Sequence, residues 1–209
     1  MKFIGVTGGV GAGKSEILKY LASRGDSRVM LADDIARDLT EPRGVCYSKL
    51  QELFAGDDVF REDGSMDRAR AASVIFEQQE KRRAMNGIVH PAVKEYVLSQ
   101  ADMERERGEI DYLFLEAALL IEDHYDEICD ELWYIYASEE NRKERLMASR
   151  GYSSRKIERI MHSQMTEEEY RRHCSHEIDN NGTQEEAVAQ VARLLADETV
   201  REKHTWTIQ

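Results

Sequence analysis

The sequence predicts an α/β fold in which helices flank a parallel five-stranded sheet. Short apolar segments alternate with helical patterns, which is typical of parallel strands joined by helical crossovers. The first apolar segment runs directly into a glycine-rich turn, and a helical pattern follows that turn. From residue 45 to residue 108 helical periodicity dominates, which indicates a helical insertion between two strands of the sheet.

Five short segments, rich in apolar side chains and ended by glycine or polar residues, are the strand candidates. They cover residues 3–7, 28–32, 112–115, 132–136 and 177–179. Helical patterns outside the insertion cover residues 14–24, 35–39, 141–148, 155–163 and 166–173. Thr183 is expected to cap a last helix. Pro91 is expected to start a new helix or to kink an existing one, because proline lacks the backbone N–H that a helix interior needs.

Composition limits the classes of function. The 209 residues carry a formal net charge of -12, which argues against a nucleic-acid partner because such a partner needs a basic face. The apolar runs are too short to span a bilayer, so no membrane association is expected. Cys46, Cys129 and Cys174 form no Cys-x-x-Cys pair and are expected to be free thiols in a reducing compartment. We therefore expect a cytoplasmic protein, and a monomer is the plainest state.

The glycine-rich turn carries the chemistry. Residues 8–15, Gly-Gly-Val-Gly-Ala-Gly-Lys-Ser, fit the phosphate-loop pattern G-x-x-x-x-G-K-[ST] completely. Glycines let backbone N–H groups turn toward phosphate oxygens, and the following helix adds the positive end of its dipole. Lys14 would bring a positive charge to the β- and γ-phosphates of ATP, and the Ser15 hydroxyl could bind Mg²⁺. The predicted nucleotide-binding residues of this turn are Gly9, Val10, Gly11, Ala12, Gly13, Lys14, Ser15 and Glu16.

A triphosphate-binding loop alone does not separate kinases from GTPases and ATPases. The Asn-Lys-x-Asp pattern that reads guanine is missing, because no Asn-Lys pair occurs in the sequence. A small kinase fits the chain length, and it needs a group that orients or deprotonates the attacking hydroxyl. Asp33 follows the second strand candidate, at the sheet edge where ligands gather, and is the candidate base. The alternative is that Asp33 or Asp34 caps the next helix.

Further motifs follow the phosphate loop in a fixed order. Ala32-Asp33-Asp34-Ile35-Ala36-Arg37 comes first, and Asp63-Gly64-Ser65-Met66-Asp67-Arg68 and Asn86-Gly87-Ile88-Val89-His90-Pro91 lie in the insertion. Leu119-Leu120-Ile121-Glu122 follows the third strand candidate, and Ile178-Asp179-Asn180-Asn181-Gly182 comes last. In this order and spacing, together with Thr7 and the loop, they resemble the dephospho-CoA kinase family over nearly the whole chain.

The resemblance implies transfer of the γ-phosphoryl group of ATP to the ribose 3′-hydroxyl of dephospho-CoA, with Mg²⁺ and with Asp33 as the base. It implies a P-loop core at residues 1–44 and 109–202, a lid at about residues 142–165, an acceptor-binding insertion at residues 45–108 and a tail at residues 203–209. The nucleotide contacts that it implies outside the loop are Arg142, Arg145, Arg150 and Asn180. The acceptor contacts that it implies are Thr7, Asp33, Arg37, His90, Leu119 and Glu122.

Some roles stay open on the sequence alone. The three arginines fit a solvated helix face as well as a lid, and His90 fits a helix cap or core position as well as a substrate contact. A kinase for another small acceptor, such as a nucleoside or a nucleoside monophosphate, is one alternative function. A nucleotide-binding regulatory module without catalysis is another. The positions that depart from the family pattern are Glu16, Leu31, Glu116, Ala118, Tyr170, Cys174 and Ser175.

Overall fold

The structure is a computed structural model that describes the backbone of residues 1–205 and the side chains of residues 1–196. The predicted tail lies only partly within it. Residues 203–205 belong to the last helix, and residues 206–209 lie outside the described residues. No helix of the described part combines the length and the apolar composition that crossing a membrane requires.

Five strands form one parallel sheet, as predicted. They are β1 (Lys2–Thr7), β2 (Ser27–Leu31), β3 (Tyr112–Glu116), β4 (Glu131–Tyr136) and β5 (His176–Asp179). Their order in the sheet is β2-β3-β1-β4-β5. β1 pairs in parallel with β3 and β4, and β4 pairs in parallel with β5. The central strands are nearly continuous apolar runs because helices cover both faces of such a sheet.

Helices make up most of the remaining regular structure. They are α1 (Lys14–Ala22), α2 (Ala32–Thr40), α3 (Tyr47–Leu53), α4 (Arg68–Glu77), α5 (Gln79–Arg107), α6 (Glu139–Arg150), α7 (Ser154–His162), α8 (Glu167–His173) and α9 (Gln184–Thr205). The predicted cap of α9 is confirmed. The Thr183 hydroxyl accepts a hydrogen bond from the Glu186 N–H at 3.2 Å, and the Glu186 carboxylate accepts one from the Thr183 N–H at 2.9 Å.

α5 runs through Pro91, so of the two predicted alternatives the start of a new helix at this residue is wrong. Val89, Val93, Val97 and Ala101 recur every four residues along this helix and are buried. A stripe with that spacing lies on one face of a helix and packs into a core. The free energy gained by burying this stripe exceeds the loss of the single backbone hydrogen bond that a proline removes.

Contacts divide the described chain into two compact units. The first unit comprises Met1–Val29 and the residues from Glu109 onward, and the second comprises Met30–Gly108. The second unit begins before residue 45, where the sequence analysis placed the start of the insertion, because α2 packs on α5. α2 therefore belongs by packing to the helical unit, although it directly follows a strand of the sheet.

Each unit has its own apolar core. In the first unit, the rings of Phe114 on β3 and Trp133 on β4 lie 5.5 Å apart and are fully buried. In the second unit, Leu50 on α3 is fully buried, and so is Val97 on α5, the long helix against which α2, α3 and α4 pack.

Candidate active site

The phosphate-loop sequence forms a tight turn between β1 and α1. Gly11 and Gly13 have φ angles of 85° and 87°, in the left-handed region that favours glycine. A Cβ atom on Gly11 would lie 2.9 Å from the backbone oxygen of Arg142, and one on Gly13 would collide with the carboxamide nitrogen of Asn180. These glycines therefore serve both the turn and the close approach of other elements to it.

Lys14 is the first residue of α1, and its ammonium group faces two oxygens. Nζ donates a hydrogen bond to the Gly8 carbonyl oxygen at 2.7 Å and lies 3.6 Å from Oε1 of Glu116. Glu116 ends β3 opposite Val6 of β1, so strand pairing places this carboxylate beside the loop. The Lys14 and Glu116 side chains are only 16% and 18% exposed, so solvent screens their attraction less than at an open surface. From the sequence alone, Glu116 stands out only as a departure from the family pattern.

Three side chains from other elements bind carbonyl groups of the loop. Nε of Arg142 donates to the Val10 carbonyl oxygen at 2.9 Å. Nη1 of Arg145 donates to the Ala12 carbonyl oxygen at 3.3 Å, and Nδ2 of Asn180 donates to the same oxygen at 2.7 Å. Arg145 also donates to the Asn180 carbonyl oxygen at 2.7 Å. Two arginines three positions apart thus tie one face of α6 to the loop.

Gln164, which was not among the predicted site residues, also contacts the loop. Its Oε1 accepts a hydrogen bond from the Val10 N–H at 3.1 Å and another from Nη2 of Arg142 at 2.5 Å. Gln164 follows α7, and its own N–H donates to the Met161 carbonyl oxygen at 3.2 Å. The bond to Val10 joins residues 154 positions apart, so no local pattern in the sequence marks it.

Three other predicted nucleotide contacts are exposed or contact residues outside the loop in this structure. Ser15 is exposed in the first turn of α1. Glu16 accepts a hydrogen bond from Nζ of Lys19 at 2.7 Å. Arg150 is the last residue of α6, and its guanidinium carbon lies 5.9 Å from the ring centre of Tyr152. Arg142 and Arg145 are therefore the predicted arginines that the structure brings to the loop.

Three predicted acceptor contacts lie in the first unit, one at the end of β1 and two in the turn that follows β3. Thr7 is the last residue of β1 and is 2% exposed. Leu119 and Glu122 lie in the turn that follows β3, and both are exposed. They follow a buried strand and are open to solvent, so they are free to contact a ligand.

The second unit contains a cavity of about 380 Å³. Asp33 and Arg37 line it from one face of α2, and Arg68 lines it from the start of α4. The predicted acceptor contact His90 does not line the cavity, whereas the adjacent Val89 of α5, which was not predicted, does. Apolar side chains form much of the remaining wall, namely Met66, Ala71, Ile75, Met85 and Val89.

Asp33 and Asp34 stand in the first turn of α2, and neither caps it. Leu31 occupies the N-cap position without a side-chain cap, so the capping alternative is wrong. Asp34 forms an ion pair with Arg37 at 2.7 Å, whereas Asp33 faces the cavity. Both charges favour the helix because its N-terminal end is positive.

Tyr170 stands where the family pattern has a lysine, and it is a packing residue. It is 5% exposed, and its ring stacks on that of Tyr134 with centres 4.8 Å apart and planes 11° from parallel. Burial raises the pKa of Tyr170 to about 12 and raises the pKa of Tyr134 as well, so both rings stay neutral near pH 7. This departure therefore attaches α8 to β4 without adding a charge.

A parallel sheet, a glycine-rich loop between β1 and α1, and arginines that bind this loop define the class of P-loop kinases. Within this class, the family model described as dephospho-CoA kinase matches residues 2–186. The chain belongs to the dephospho-CoA kinase family, and membership implies an ATP-dependent kinase.

Individual relatives agree with this assignment. A dephospho-CoA kinase of Shouchella clausii is 33% identical over 193 residues, which cover 92% of this chain and 96% of that protein. The crystal structure of a Thermus thermophilus protein known as TT1252 superposes with a TM-score of 0.77 at 29% identity and covers 94% of this chain and 97% of the other. A dephospho-CoA kinase from Campylobacter jejuni shares the fold, with a TM-score of 0.70 at 20% identity over 93% of this chain and 98% of its own.

Proposed function

We propose that the chain is a dephospho-CoA kinase that transfers the γ-phosphoryl group of ATP to the ribose 3′-hydroxyl of dephospho-CoA. The observation that carries this proposal is the convergence of Lys14, Arg142 and Arg145 on one glycine-rich loop. Three cations around backbone N–H groups match the charge of a triphosphate and of the phosphoryl group in transfer. Family membership supports the choice of acceptor.

In this proposal the loop and Lys14 hold the β- and γ-phosphates. Residues 142–165 act as the lid, from which Arg142 and Arg145 neutralise charge that develops on the transferred group. Asn180 keeps the loop in shape through the Ala12 carbonyl oxygen. Arg150 would join them only if it turns away from Tyr152.

The acceptor would occupy the cavity of the second unit. Dephospho-CoA carries a charged pyrophosphate between two largely uncharged parts. Arg37 and Arg68 suit the pyrophosphate, and the apolar wall suits an uncharged part. Asp33 is the proposed base because it lines this cavity and follows the carboxyl end of β2, the kind of position where ligands gather in a parallel sheet. Thr7, His90, Leu119 and Glu122 remain predicted acceptor contacts.

The proposed step is an in-line displacement at the γ-phosphorus. The 3′-hydroxyl oxygen forms the new O–P bond and its proton passes to the Asp33 carboxylate, while the bond from the γ-phosphorus to the β–γ bridging oxygen breaks. ADP leaves with the electron pair of that bond. Positive charge at Lys14 and at the lid arginines favours this leaving group.

Mg²⁺ is the expected cofactor, and the residues near the loop fit it. The Ser15 hydroxyl and the Glu116 carboxylate are hard oxygen donors of the kind that Mg²⁺ prefers. Mg²⁺ is usually held by one or two side chains together with substrate phosphates. Bound there, the ion would neutralise charge on the β- and γ-phosphates.

The test is a coupled assay of ADP release with a panel of acceptors. ATP and Mg²⁺ are held constant while dephospho-CoA, adenosine, other nucleosides and nucleoside monophosphates are supplied in turn. We expect acceptor-dependent ADP with dephospho-CoA and little with the others. Release with a nucleoside or a nucleoside monophosphate instead would identify a kinase of another acceptor. No acceptor-dependent release with any compound would favour a nucleotide-binding module.

A further inference from the structure

The side chain of Gln164 closes a small ring of hydrogen bonds at the phosphate loop. Its Oε1 accepts from the Val10 N–H at 3.1 Å and from Nη2 of Arg142 at 2.5 Å, and Nε of Arg142 donates to the Val10 carbonyl oxygen at 2.9 Å. Both partners of the carboxamide are donors, so its oxygen and not its NH₂ group faces them. All three residues belong to the first unit.

The two donors that Gln164 holds are those that a phosphate oxygen would use. A backbone N–H of a glycine-rich loop and a guanidinium group are the usual partners of phosphate oxygens. A carboxamide oxygen has similar size and similar acceptor geometry, but it carries no net charge. Hydrogen bonds from the same donors to an anionic oxygen are roughly twice as strong as those to a neutral oxygen. A phosphate is therefore the stronger acceptor at this position.

We infer that Gln164 competes with a nucleotide phosphate for the Val10 N–H and for Arg142, and that its side chain leaves both donors when the triphosphate binds. This inference rests on the proposed function, because it takes the loop as the triphosphate site. Removing the competitor tightens binding, because the bonds to Gln164 no longer have to break first. Strengthening the competitor weakens binding for the same reason.

Two substitutions at this position move affinity in opposite directions. Gln164→Ala removes the acceptor, and we expect it to tighten binding by about three- to tenfold, the equivalent of one net hydrogen bond. Gln164→Glu places a carboxylate between the same donors and pairs with Arg142, and we expect binding weaker than wild type by about tenfold. The affinity order is therefore Ala, then Gln, then Glu.

The probes are inorganic tripolyphosphate and a non-hydrolysable ATP analogue, each titrated with Mg²⁺ in a calorimeter. Tripolyphosphate has no base or ribose, so it reports on the phosphate loop alone. Gln51→Ala is the matched control, because Gln51 is exposed on α3 of the second unit, and its affinity should equal that of the wild type. Circular dichroism verifies that each variant is folded, and the amide resonance of Val10 should shift in Gln164→Ala.

The outcomes separate the inference from the proposed function. If wild type binds and the affinities follow the order Ala, Gln, Glu, Gln164 is the competitor. If wild type binds but Gln164→Ala binds equally well or more weakly, the inference is wrong and Gln164 instead supports the bound state or has no part in it. If wild type binds neither probe, the proposed function fails and the inference fails with it.

Discussion

Asn180 and Ala12 are 168 positions apart in the chain, and a buried hydrogen bond of 2.7 Å joins them. Nδ2 of Asn180 is the donor, and the Ala12 carbonyl oxygen lies in the phosphate loop. The residue after β5 thus holds a loop that follows β1. The bond matters for function because the carbonyl oxygens of the loop must point away from its N–H groups, which are the phosphate donors.

Asn180→Asp should damage this arrangement. The carboxylate places an acceptor opposite the Ala12 oxygen, so one buried acceptor loses a donor and gains a repulsion. We expect the free energy of unfolding to fall by roughly 1–3 kcal/mol, measured by urea denaturation, and tripolyphosphate binding to weaken. Gln51→Glu adds the same charge at an exposed position and should change neither quantity. Wild-type stability in Asn180→Asp would mean that the bond contributes nothing.

Asp33→Asn tests the base. It keeps the size of the side chain and removes its proton affinity, so we expect turnover to fall by about 10²–10⁴-fold while ATP binding stays unchanged. The matched control is Asp38→Asn on the same helix, because the Asp38 side chain is 79% exposed. Both variants are compared by initial rate and by nucleotide titration. Full turnover in Asp33→Asn would move the base to another residue.

Tyr170→Ala should destabilise the first unit. The ring is 5% exposed and stacks on Tyr134, so truncation leaves a cavity and we expect a loss of roughly 3 kcal/mol in the free energy of unfolding. Tyr170→Phe keeps the ring and should cost about 1 kcal/mol or less. Urea denaturation of the two variants makes the comparison. Equal losses would show that the hydroxyl, and not the stacked ring, supplies the stability.

The Asp67 carboxylate is expected to make the stability of the second unit depend on pH. Its carboxylate caps α4 by accepting from the Arg70 and Ala69 N–H groups, and the bond from Arg70 is the main cause that lowers its pKa below the ordinary 3.8. Its contribution to stability is therefore complete above pH 3.8 and is lost as the pH falls through the lower folded pKa. In Asp67→Asn the carboxamide oxygen can still accept these hydrogen bonds, but the side chain takes up no proton in this pH range.

Thermal unfolding of wild type and Asp67→Asn from neutral pH downward makes this visible. The difference in unfolding temperature between wild type and Asp67→Asn should be constant near neutrality. It should shrink in the acid range where Asp67 takes up its proton. An advantage that stays constant over the whole range would mean that the carboxylate charge is not what stabilises α4.

Local chemistry made much of the fold predictable. The phosphate-loop pattern predicts the turn between β1 and α1 because glycines with positive φ are a local requirement. The strands were predictable because both faces of the sheet are covered, which leaves continuous apolar runs. α5 was not predictable in full, because Pro91 is a local signal to stop whereas the buried stripe from Val89 to Ala101 that keeps the helix intact is a property of the packed unit.

The site residues also divide into those that the sequence predicts and those that it does not. Lys14 and Asp33 follow strand ends, so their positions could be inferred from topology. The roles of Arg142 and Arg145 were predicted only from the family resemblance, because nothing in the local sequence distinguishes them from residues on a solvated helix face. Gln164 was missed, since a single glutamine in a turn carries no pattern and its partner Val10 is 154 positions away.

The central claim is that this chain moves the γ-phosphoryl group of ATP onto dephospho-CoA. The most direct measurement uses ATP that is radioactive at the γ-phosphate, with chromatographic separation of the products and a 3′-nucleotidase to locate the label. We predict label in coenzyme A that the 3′-nucleotidase releases, and none with Lys14→Ala. Label that appears only as inorganic phosphate, or stays in ATP while dephospho-CoA is unchanged, would contradict the claim.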